Sequence, residues 1–366
     1  MADESVRAIA FYLPQFHPIP ENDAWWGKGF TEWTNVTKAR PLFRGHYQPH
    51  LPGDLGFYDL RLPETREAQA ELAHEHGIFG FCYYHYWFHG RRLLERPFQE
   101  VLESGRPKFP FCLCWANEPW TRRWLGEGQD ILIAQTYSSE DDEAHSEYLS
   151  SVFRDERYIT VGDRPVFLLY RPDRHPDPIR FTTLLKSAVR RATGNQPYLI
   201  ALDAGHPDQD DRKFGFDATL HFEPQLGVLP GAVDDRTSIG RLGRNLKLGV
   251  LSGRLKLYEY IKARQKMTPC LSGFPQIPCV LVGWDNSPRR GKFGSICVGA
   301  DPASFGKELR RTLSNWKKSP FRQDNLIFIN AWNEWAEGNH LEPDQKWGRG
   351  YLNELRSALE DFNQHA

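Results

Sequence analysis

Short apolar runs recur along the chain, and most of the stretches between them carry apolar residues at helical spacing. Runs rich in Val, Ile, Phe and Tyr predict strands at residues 8–13, 79–84, 109–115, 165–170, 198–203, 218–222, 279–284 and 326–331. The stretches between them predict helices at residues 64–75, 95–103, 140–153, 179–192, 302–316 and 351–362. This alternation predicts an α/β protein of one domain, a (β/α)8 TIM barrel over residues 1–366. An open doubly wound sheet is the alternative that the pattern allows.

Two long segments interrupt the alternation. Residues 14–61 form an aromatic-rich first loop, and residues 224–278 form an insertion between the sixth and seventh strands. Long ordered loops in compact domains are usually binding walls or lids. Residues 241–266 of the insertion are strongly basic, with Glu259 as the one acidic residue. We expect this basic segment to be a solvated helix over the barrel wall. Contact with the phosphates of a lipid-linked sugar or with a membrane surface is the alternative.

Composition narrows the function classes. The formal net charge of −1 over 366 residues removes any general electrostatic argument for binding nucleic acid. Aromatic residues make up 13% of the chain, and their faces stack on the C–H faces of sugars, although they also fill cores. The opening residues lack the apolar stretch of a signal peptide, and the six cysteines lack paired metal-site spacing. We therefore expect a cytoplasmic protein without metal or cofactor, whose partner is an oligo- or polysaccharide; a trimmed leader would instead make it secreted.

The ends of the predicted strands carry the side chains that a sugar site needs. Active sites of (β/α)8 barrels lie at the carboxyl ends of the strands, and carboxylates, imidazoles, carboxamides and indoles gather there in this sequence. No glycine-rich phosphate loop is among them, which argues against a nucleotide-driven reaction. For each histidine a structural role is the common alternative, and many of the tryptophans are expected in the core. The candidate substrate-binding residues are Tyr12, His17, Trp26, His85, Trp87, Trp115, Asn117, Glu118, Trp120, Asp203, Glu223, Asp285, Asn333, Trp335 and Glu342.

The segment after the eighth predicted strand holds two candidate catalytic residues, Glu334 and Glu337. Glycosyl transfer needs one carboxyl group to protonate the leaving oxygen and another to act as base or nucleophile. Three residues apart, the two glutamates share one face of a helical turn, with β-carbons roughly 5–6 Å apart. Such proximity raises one pKa, which suits one acid and one base near neutral pH. The alternative is a solvated pair on a surface helix, which the flanking Trp332 and Trp335 disfavour.

Several motifs resemble a known family. They are Trp-Asn-Glu-Trp-Ala-Glu-Gly at 332–338 with Leu-Glu-Pro at 341–343, Phe-Tyr-Leu-Pro-Gln-Phe-His at 11–17, the tryptophan-rich block at 25–33 and Trp-Ala-Asn-Glu-Pro-Trp at 115–120. The first resembles the catalytic segment of glycoside hydrolase family 99, which contains endo-α-mannosidases and endo-α-mannanases on a (β/α)8 barrel. The whole set is similar to a bacterial family-99-like branch often labelled O-antigen or lipopolysaccharide biosynthesis proteins. The resemblance spans nearly the whole chain.

The resemblance implies a retaining glycoside hydrolase that works through a 1,2-anhydro sugar on α-linked, mannose-type or related bacterial glycans. Glu334 then falls on the residue that deprotonates the sugar 2-hydroxyl, and Glu337 on the general acid/base. Ala336 stands where the hydrolases have histidine, so the substrate and hydrolytic activity stay open. A glycosyltransferase of cell-surface polysaccharide synthesis and a non-catalytic glycan-binding barrel are the alternatives.

A second motif competes for the role of acid/base. Asn-Glu-Pro at 117–119 resembles the acid/base motif of many retaining β-glycosidases. In this chain it follows the third predicted strand instead of the fourth. We therefore interpret Glu118 as a binding or supporting carboxylate, with a structural turn as the alternative.

Overall fold

Eight parallel strands form a closed barrel in the part of the chain that the structure describes. The computed structural model describes residues 5–122, 130–203, 209–225, 229, 255–267, 273–321 and 325–364. The strands follow chain order around the barrel, and the first strand pairs with both the second and the eighth, which closes the sheet. The predicted (β/α)8 barrel is thus confirmed. The strands are β1 (Arg7–Tyr12), β2 (Ile78–Phe88), β3 (Phe111–Trp115), β4 (Arg164–Leu169), β5 (Tyr198–Asp203), β6 (Ala218–His221), β7 (Gln276–Leu281) and β8 (Leu326–Asn330).

Burial on both faces explains the apolar composition of the strands. Strands β5 and β8 are buried along their whole lengths, because one face fills the barrel interior and the other packs on the outer layer. The register sets Ile9 of β1 against Phe328 of β8 on one side and against Gly80 of β2 on the other. A β-carbon at Gly80 would lie 2.6 Å from the carbonyl oxygen of Pro110. The close approach of these two segments therefore requires glycine at this position.

Helices surround the barrel and occupy its first loop. Three of the described helices begin with a side-chain cap. The side-chain oxygens of Ser138, Asp177 and Asp301 accept hydrogen bonds of 2.8–3.1 Å from backbone amides in the first turn of the helix that follows each of them. None of the described helices is long and apolar enough to cross a bilayer. The described α-helices are α1 (Pro20–Trp26), α2 (Glu32–Lys38), α3 (Pro63–Glu75), α4 (Arg96–Ser104), α5 (Ser139–Val152), α6 (Pro178–Thr193), α7 (Tyr260–Met267), α8 (Ser287–Arg290), α9 (Pro302–Trp316) and α10 (Gly350–Gln364).

The insertion between β6 and β7 is described only in part. Within it, Lys256–Glu259 pairs in parallel with Ser295–Val298, and α7 follows directly. Arg264 of α7 is buried; its guanidinium contacts the carboxylate of Glu223 and donates to Thr312 Oγ1 at 3.0 Å. The expectation of a solvated basic helix is therefore wrong for Arg264, because α7 packs against the rest of the protein. Four other cations of the predicted basic segment lie outside the described residues: Arg241, Arg244, Lys247 and Arg254.

Candidate active site

A tight hairpin follows β8 at the carboxyl end of the barrel. Asn333–Glu334 pairs in antiparallel fashion with Asn339–His340. Between these short strands, Trp335–Glu337 forms a single turn of 3₁₀ helix. Gly338 then takes a left-handed conformation with φ at 55°, which closes the turn at low conformational cost. The hairpin therefore carries the two candidate catalytic glutamates on one turn, as their spacing predicted.

The guanidinium of Arg289 holds three carboxylates together. Arg289 lies in α8, just after β7. Its Nη1 donates to Oε1 of Glu337 at 2.6 Å, and its Nη2 donates to Oε2 of Glu334 at 3.1 Å. Its Nε donates to Oε1 of Glu32, in α2 of the first loop, at 2.8 Å. The hairpin, the first loop and the segment after β7 thus meet in one ionic group. We call these four residues the Arg289 cluster.

The Arg289 cluster has more negative than positive groups and is shielded from water. Glu32 is fully buried, and Glu334 is 7% exposed. Burial raises the pKa of Glu334 to about 8; the charges of Glu337 and Glu32 act in the same direction and that of Arg289 opposes them. Burial and the charge of Glu32 also raise the pKa of Glu337, again against Arg289. One arginine beside three carboxylates therefore keeps protonated and ionised carboxyl groups together near neutral pH, which is what acid–base chemistry requires.

Glu342 supports the hairpin from inside the protein. Its carboxylate accepts hydrogen bonds from Tyr58 Oη at 2.8 Å, from Gln69 Nε2 at 2.6 Å and from Trp335 Nε1 at 2.6 Å. Burial raises the pKa of Glu342 to about 7 in spite of these hydrogen bonds. Both Glu342 and Trp335 are almost fully enclosed. The prediction that these two residues contact the sugar is corrected accordingly: they position the turn that carries the glutamates.

Asn333 and Asp285 are also occupied by protein groups. Asn333 Oδ1 accepts from the backbone amide of Leu13 at 2.7 Å, and its Nδ2 donates to the Leu13 carbonyl at 3.0 Å, which fastens the hairpin to the end of β1. One carboxylate oxygen of Asp285 lies 2.6 Å from His46 Nε2 and accepts from Gln48 Nε2 at 2.7 Å. The predicted sugar contacts of Asn333 and Asp285 are therefore corrected to bracing roles, because these polar atoms already face the first loop and β1.

Three tyrosines interact electrostatically with the candidate catalytic glutamates. The charge of Glu334 adds to burial in raising the pKa of both Tyr84 and Tyr86. Burial and nearby carboxylates, Glu337 among them, likewise raise the pKa of Tyr170. The three phenols therefore stay protonated, and their hydroxyls can donate hydrogen bonds. No motif in the sequence distinguishes these three tyrosines as candidates.

Alternation along the strands explains why other residues were selected instead. His85 and Trp87 point away from the barrel interior: His85 Nε2 lies 3.0 Å from His145 Nε2 of α5, and the Trp87 indole stacks on the same imidazole at 4.5 Å. Tyr12 is directed outward in the same way and donates to Gln69 of α3 at 2.7 Å. The predicted sugar contacts of these three residues are therefore corrected. Their side chains belong to the interface between strands and helices.

The remaining candidates differ in accessibility. Glu118 is partly exposed and accepts from Arg171 Nη1 at 2.9 Å, so it remains available at the mouth of the barrel. Asn117 is buried, and its side-chain amide is hydrogen-bonded to both backbone polar groups of Arg171. The predicted sugar contacts of the enclosed candidates are corrected, because a sugar could reach these side chains only if the surrounding protein groups moved apart. The enclosed candidates are His17, Trp115, Asn117, Asp203 and Glu223.

A group of partly exposed indoles lies next to the tyrosines. The Trp120 ring packs edge-on against Tyr86, with centroids 5.2 Å apart, and against Trp25 at 5.8 Å. The guanidinium of Arg122 lies 5.8 Å from the Trp26 ring. We call Trp25, Trp26 and Trp120 the tryptophan rim. Its partial exposure and its contact with a tyrosine that interacts electrostatically with a candidate glutamate favour a sugar-stacking surface, in line with the prediction for Trp26 and Trp120.

Two members of the Arg289 cluster were missed by sequence reasoning. Glu32 lies inside the tryptophan-rich block at 25–33, so the resemblance itself contains a signal for this residue. Arg289 is adjacent to another cation, Arg290, and no local spacing distinguishes it. Only its position shortly after a barrel strand marks it as a candidate.

Glu334→Gln should flatten the pH dependence of stability. The folded-state pKa of Glu334 is about 8, above the ordinary 4.5, so the folded protein keeps a proton that the unfolded chain loses. The stability that this group contributes is complete below pH 4.5 and is lost as the pH rises through about 8. Glutamine does not titrate, so the variant escapes this loss. Between pH 5 and pH 8 its free energy of unfolding should increase, relative to that of the wild type, by on the order of a few kcal/mol.

Denaturant unfolding at these two pH values measures the effect. Glu360→Gln, in an exposed part of α10, is the control and should leave the pH dependence unchanged. If Glu334→Gln and the wild type lose stability equally between pH 5 and pH 8, the carboxyl group of Glu334 is not perturbed as described.

The chain has relatives at the level of sequence. Residues 8–355 match the family described as Glycosyltransferase WbsX. Over 351 residues the chain is 42% identical to proteins named WxcX from two strains of Xanthomonas campestris pv. campestris. The match covers 96% of this chain and 49% of each relative, so the chain spans about half the length of the curated relatives it matches.

Solved structures share the fold. A GH99 endo-α-mannosidase from Bacteroides thetaiotaomicron superposes with a TM-score of 0.59 at 14% identity, covering 100% of this chain and 99% of that chain. A glycoside hydrolase-like protein gives a TM-score of 0.58 at 12% identity, covering 98% of this chain and 95% of that chain. At these identities the likeness shows a common barrel fold. Together with the family match, it confirms the resemblance to family-99-like proteins that the tryptophan-rich motifs indicated.

Proposed function

Since the chain belongs to the Glycosyltransferase WbsX family, we propose that it is a glycan-active enzyme that cleaves α-linked, mannose-type or related bacterial glycosides with retention at the anomeric carbon. The observation that carries the proposal is the Arg289 cluster. A buried glutamate, Glu334, and a partly buried one, Glu337, share one guanidinium at the carboxyl end of the barrel, where enzymes of this fold place their chemistry. The endo-α-mannosidase with the same fold motivates the choice of a mannose-type substrate.

In the proposed reaction, Glu334 and Glu337 divide the proton transfers. Ionised Glu334 takes the proton of the sugar 2-hydroxyl while the 2-oxygen attacks the anomeric carbon, and Glu337 gives its proton to the leaving glycosidic oxygen. The products are a 1,2-anhydro sugar and a free alcohol. Water then attacks the anomeric carbon and gives a proton to Glu337, while the 2-oxygen regains its proton from Glu334. Two inversions give net retention.

In the free site the larger increase in pKa falls on Glu334, so these roles require that substrate binding leave Glu334 ionised and the proton on Glu337. With its pKa raised to about 8, Glu334 is largely protonated at neutral pH, and it is a stronger base than an ordinary glutamate once ionised. A sugar hydroxyl that donates a hydrogen bond to Glu334 favours the ionised form, as Arg289 does. Substrate binding therefore prepares the base, and kcat/KM, which reports the free enzyme, should increase with pH up to about 8.

Glycosyl transfer is the second candidate, and the description of the family favours it. A 1,2-anhydro sugar opened by water gives hydrolysis, whereas the same intermediate opened by a sugar hydroxyl gives transfer with retention. The same two glutamates serve both outcomes, so the carboxyl pair is compatible with either. A non-catalytic glycan-binding barrel is the third reading, which Ala336 in place of histidine keeps open.

Product analysis separates the three readings. The purified chain is incubated with α-mannans and α-mannooligosaccharides, and in parallel with sugar nucleotides, and the consumed donor and the product anomer are followed by NMR. Hydrolysis should give shortened oligosaccharides whose new reducing ends are initially α. Lengthened products, or consumption of a sugar nucleotide, would establish transfer. Binding without consumption of any donor would overturn the enzymatic proposal.

Trp120→Ala should weaken the binding of an oligosaccharide substrate about tenfold while leaving kcat nearly unchanged. The reason is that an indole of the tryptophan rim contributes stacking area outside the reacting carboxyl groups. Trp120→Phe is the matched control, and it should keep most of the affinity because it retains an aromatic face. Steady-state kinetics measure both. An alanine variant with unchanged KM would remove the rim from the binding surface.

A further inference from the structure

A second cluster of side chains lies behind the catalytic hairpin. His50 belongs to the first loop, His340 to the second strand of the hairpin, and Asp344 to the loop that follows. One ring nitrogen of each histidine and one carboxylate oxygen of Asp344 all lie within 4.8 Å of one another. His50 Nδ1 is 2.9 Å from His340 Nε2. In the described residues, this is the group of histidine and carboxylate side chains whose spacing suits a metal ion.

His340 and Asp344 each have one polar atom bonded to the protein backbone and a second atom that could bind an ion. His340 Nδ1 lies 2.9 Å from the carbonyl oxygen of Glu342, so it carries the proton and donates, and Nε2 presents its lone pair. A metal-bound histidine usually donates its other ring N–H to a carbonyl or carboxylate oxygen in this way. Asp344 Oδ1 accepts from the backbone amides of Lys346 and Trp347 at 3.0 and 2.5 Å. Asp344 Oδ2 is buried and makes no hydrogen bond of good geometry to a described residue, and the nearby Tyr47 hydroxyl, which interacts with this carboxylate, would give way to a bound ion.

Two imidazole nitrogens and one carboxylate oxygen form the donor set of Zn²⁺ and similar divalent ions. Tetrahedral ligand atoms around Zn²⁺ are about 3.3 Å apart, given metal–ligand bonds near 2.0–2.1 Å. The two ring nitrogens, 2.9 Å apart, are close to that spacing, and the carboxylate oxygen, within 4.8 Å of both, would move inward to complete the site. The Lys346 ammonium lies over the rings of Tyr47 and Trp347 at 4.5 and 4.4 Å, and its charge also acts on His50.

We propose that His50, His340 and Asp344 form a structural site for a zinc-like divalent cation. The bound ion would join the first loop to the hairpin. His340 stacks face to face on Trp335, with centroids 3.8 Å apart, and Trp335 lies between the two catalytic glutamates in the chain. The ion thus fixes the back of the turn that carries the carboxyl pair and takes no part in the sugar chemistry. The inference does not depend on the proposed glycosidase activity.

The test uses the full chain without an affinity tag, stripped with EDTA and dialysed against ZnCl2. The wild type should retain one Zn²⁺ per chain by mass spectrometry of the metal, and its Tm should rise by several degrees on adding Zn²⁺ and fall again with EDTA. Co²⁺ in place of Zn²⁺ should give visible absorption bands of a four-coordinate site with nitrogen and oxygen ligands.

Variants distinguish this site from loose binding at the surface. Asp344→Asn keeps the Oδ1 hydrogen bonds to the backbone and removes the Oδ2 ligand, so it should weaken Zn²⁺ binding at least about tenfold without unfolding the chain. His50→Gln, in the first loop, should do the same. His74→Gln removes an exposed histidine of α3 and should bind Zn²⁺ as the wild type does. Equal Zn²⁺ retention and equal Tm response in the wild type, Asp344→Asn and His50→Gln would overturn the proposal, as would a wild type that binds no Zn²⁺.

Discussion

Glu337→Gln should lower the turnover of a glycan substrate by about 10²- to 10⁴-fold, because the amide keeps the shape of the side chain but delivers no proton to the leaving oxygen. The amide can still accept a hydrogen bond from Arg289, so the fold and the melting temperature should be preserved. Rates come from the release of oligosaccharide products, with circular dichroism as the check on folding.

Glu118→Gln is the matched control for this variant. Glu118 is a partly exposed carboxylate near the same mouth, held by Arg171, and its Asn-Glu-Pro motif is the rival acid/base. The control should lose at most a few-fold in rate. If instead Glu118→Gln is inactive and Glu337→Gln works at the wild-type rate, the acid/base lies on the segment after β3.

Arg289→Met should destabilise the protein by about 3–5 kcal/mol at pH 8, because it leaves buried carboxylates without their counter-charge. The loss should be smaller at pH 5, since protonation then removes the uncompensated charges. Denaturant unfolding at the two pH values measures both quantities. Adding Glu32→Gln to Arg289→Met should recover part of the loss at pH 8, because one fewer buried charge remains.

Arg310→Met provides the comparison for this experiment. Arg310 is partly exposed and pairs with Glu354 and Asp361 on α10, so its removal should cost no more than about 1 kcal/mol at either pH. An Arg289→Met variant whose loss matches that of Arg310→Met, or is the same at pH 5 and pH 8, would show that the cluster does not hold buried charge.

The barrel could be predicted because its strands are local signals. Tyr198–Asp203 is observed with the predicted bounds, since a continuous apolar run buried on both faces has few alternatives to a strand. The short helices α1 and α2 were not predicted. They have seven residues each, and their stability comes from contacts that no local pattern reveals. One such contact is that of Trp33 with Trp335, at 5.4 Å between ring centroids.

Only the part of the candidate site that comes from neighbouring residues of the chain could be predicted from the sequence. Glu334 and Glu337 are three residues apart, so the sequence itself places them on one turn. Arg289 and Glu32 reach each other across 257 positions of the chain, and only the closed barrel brings them together. Proximity of this kind follows from tertiary packing, which residue spacing does not encode.

The candidates on β2 show a different limit. The sequence indicates that the end of this strand reaches the mouth of the barrel, but not which alternate residues face inward. His85 and Trp87 contact α5, whereas the alternate residues Tyr84 and Tyr86 are half-buried and interact electrostatically with Glu334. A shift of one residue exchanges the two faces of a strand, so the phase of the alternation decides the outcome.

The most direct test of the catalytic assignment is a crystal structure of Glu337→Gln with an α-mannooligosaccharide that the wild type consumes. The scissile sugar should lie between the Arg289 cluster and Tyr86, with its 2-hydroxyl oxygen roughly 2.6–3.2 Å from a carboxylate oxygen of Glu334. The residue at position 337 should face the glycosidic oxygen. A sugar bound with Glu334 in line with the anomeric carbon and away from the 2-hydroxyl would contradict the 1,2-anhydro route. A sugar bound away from the hairpin would contradict the assignment of the site itself.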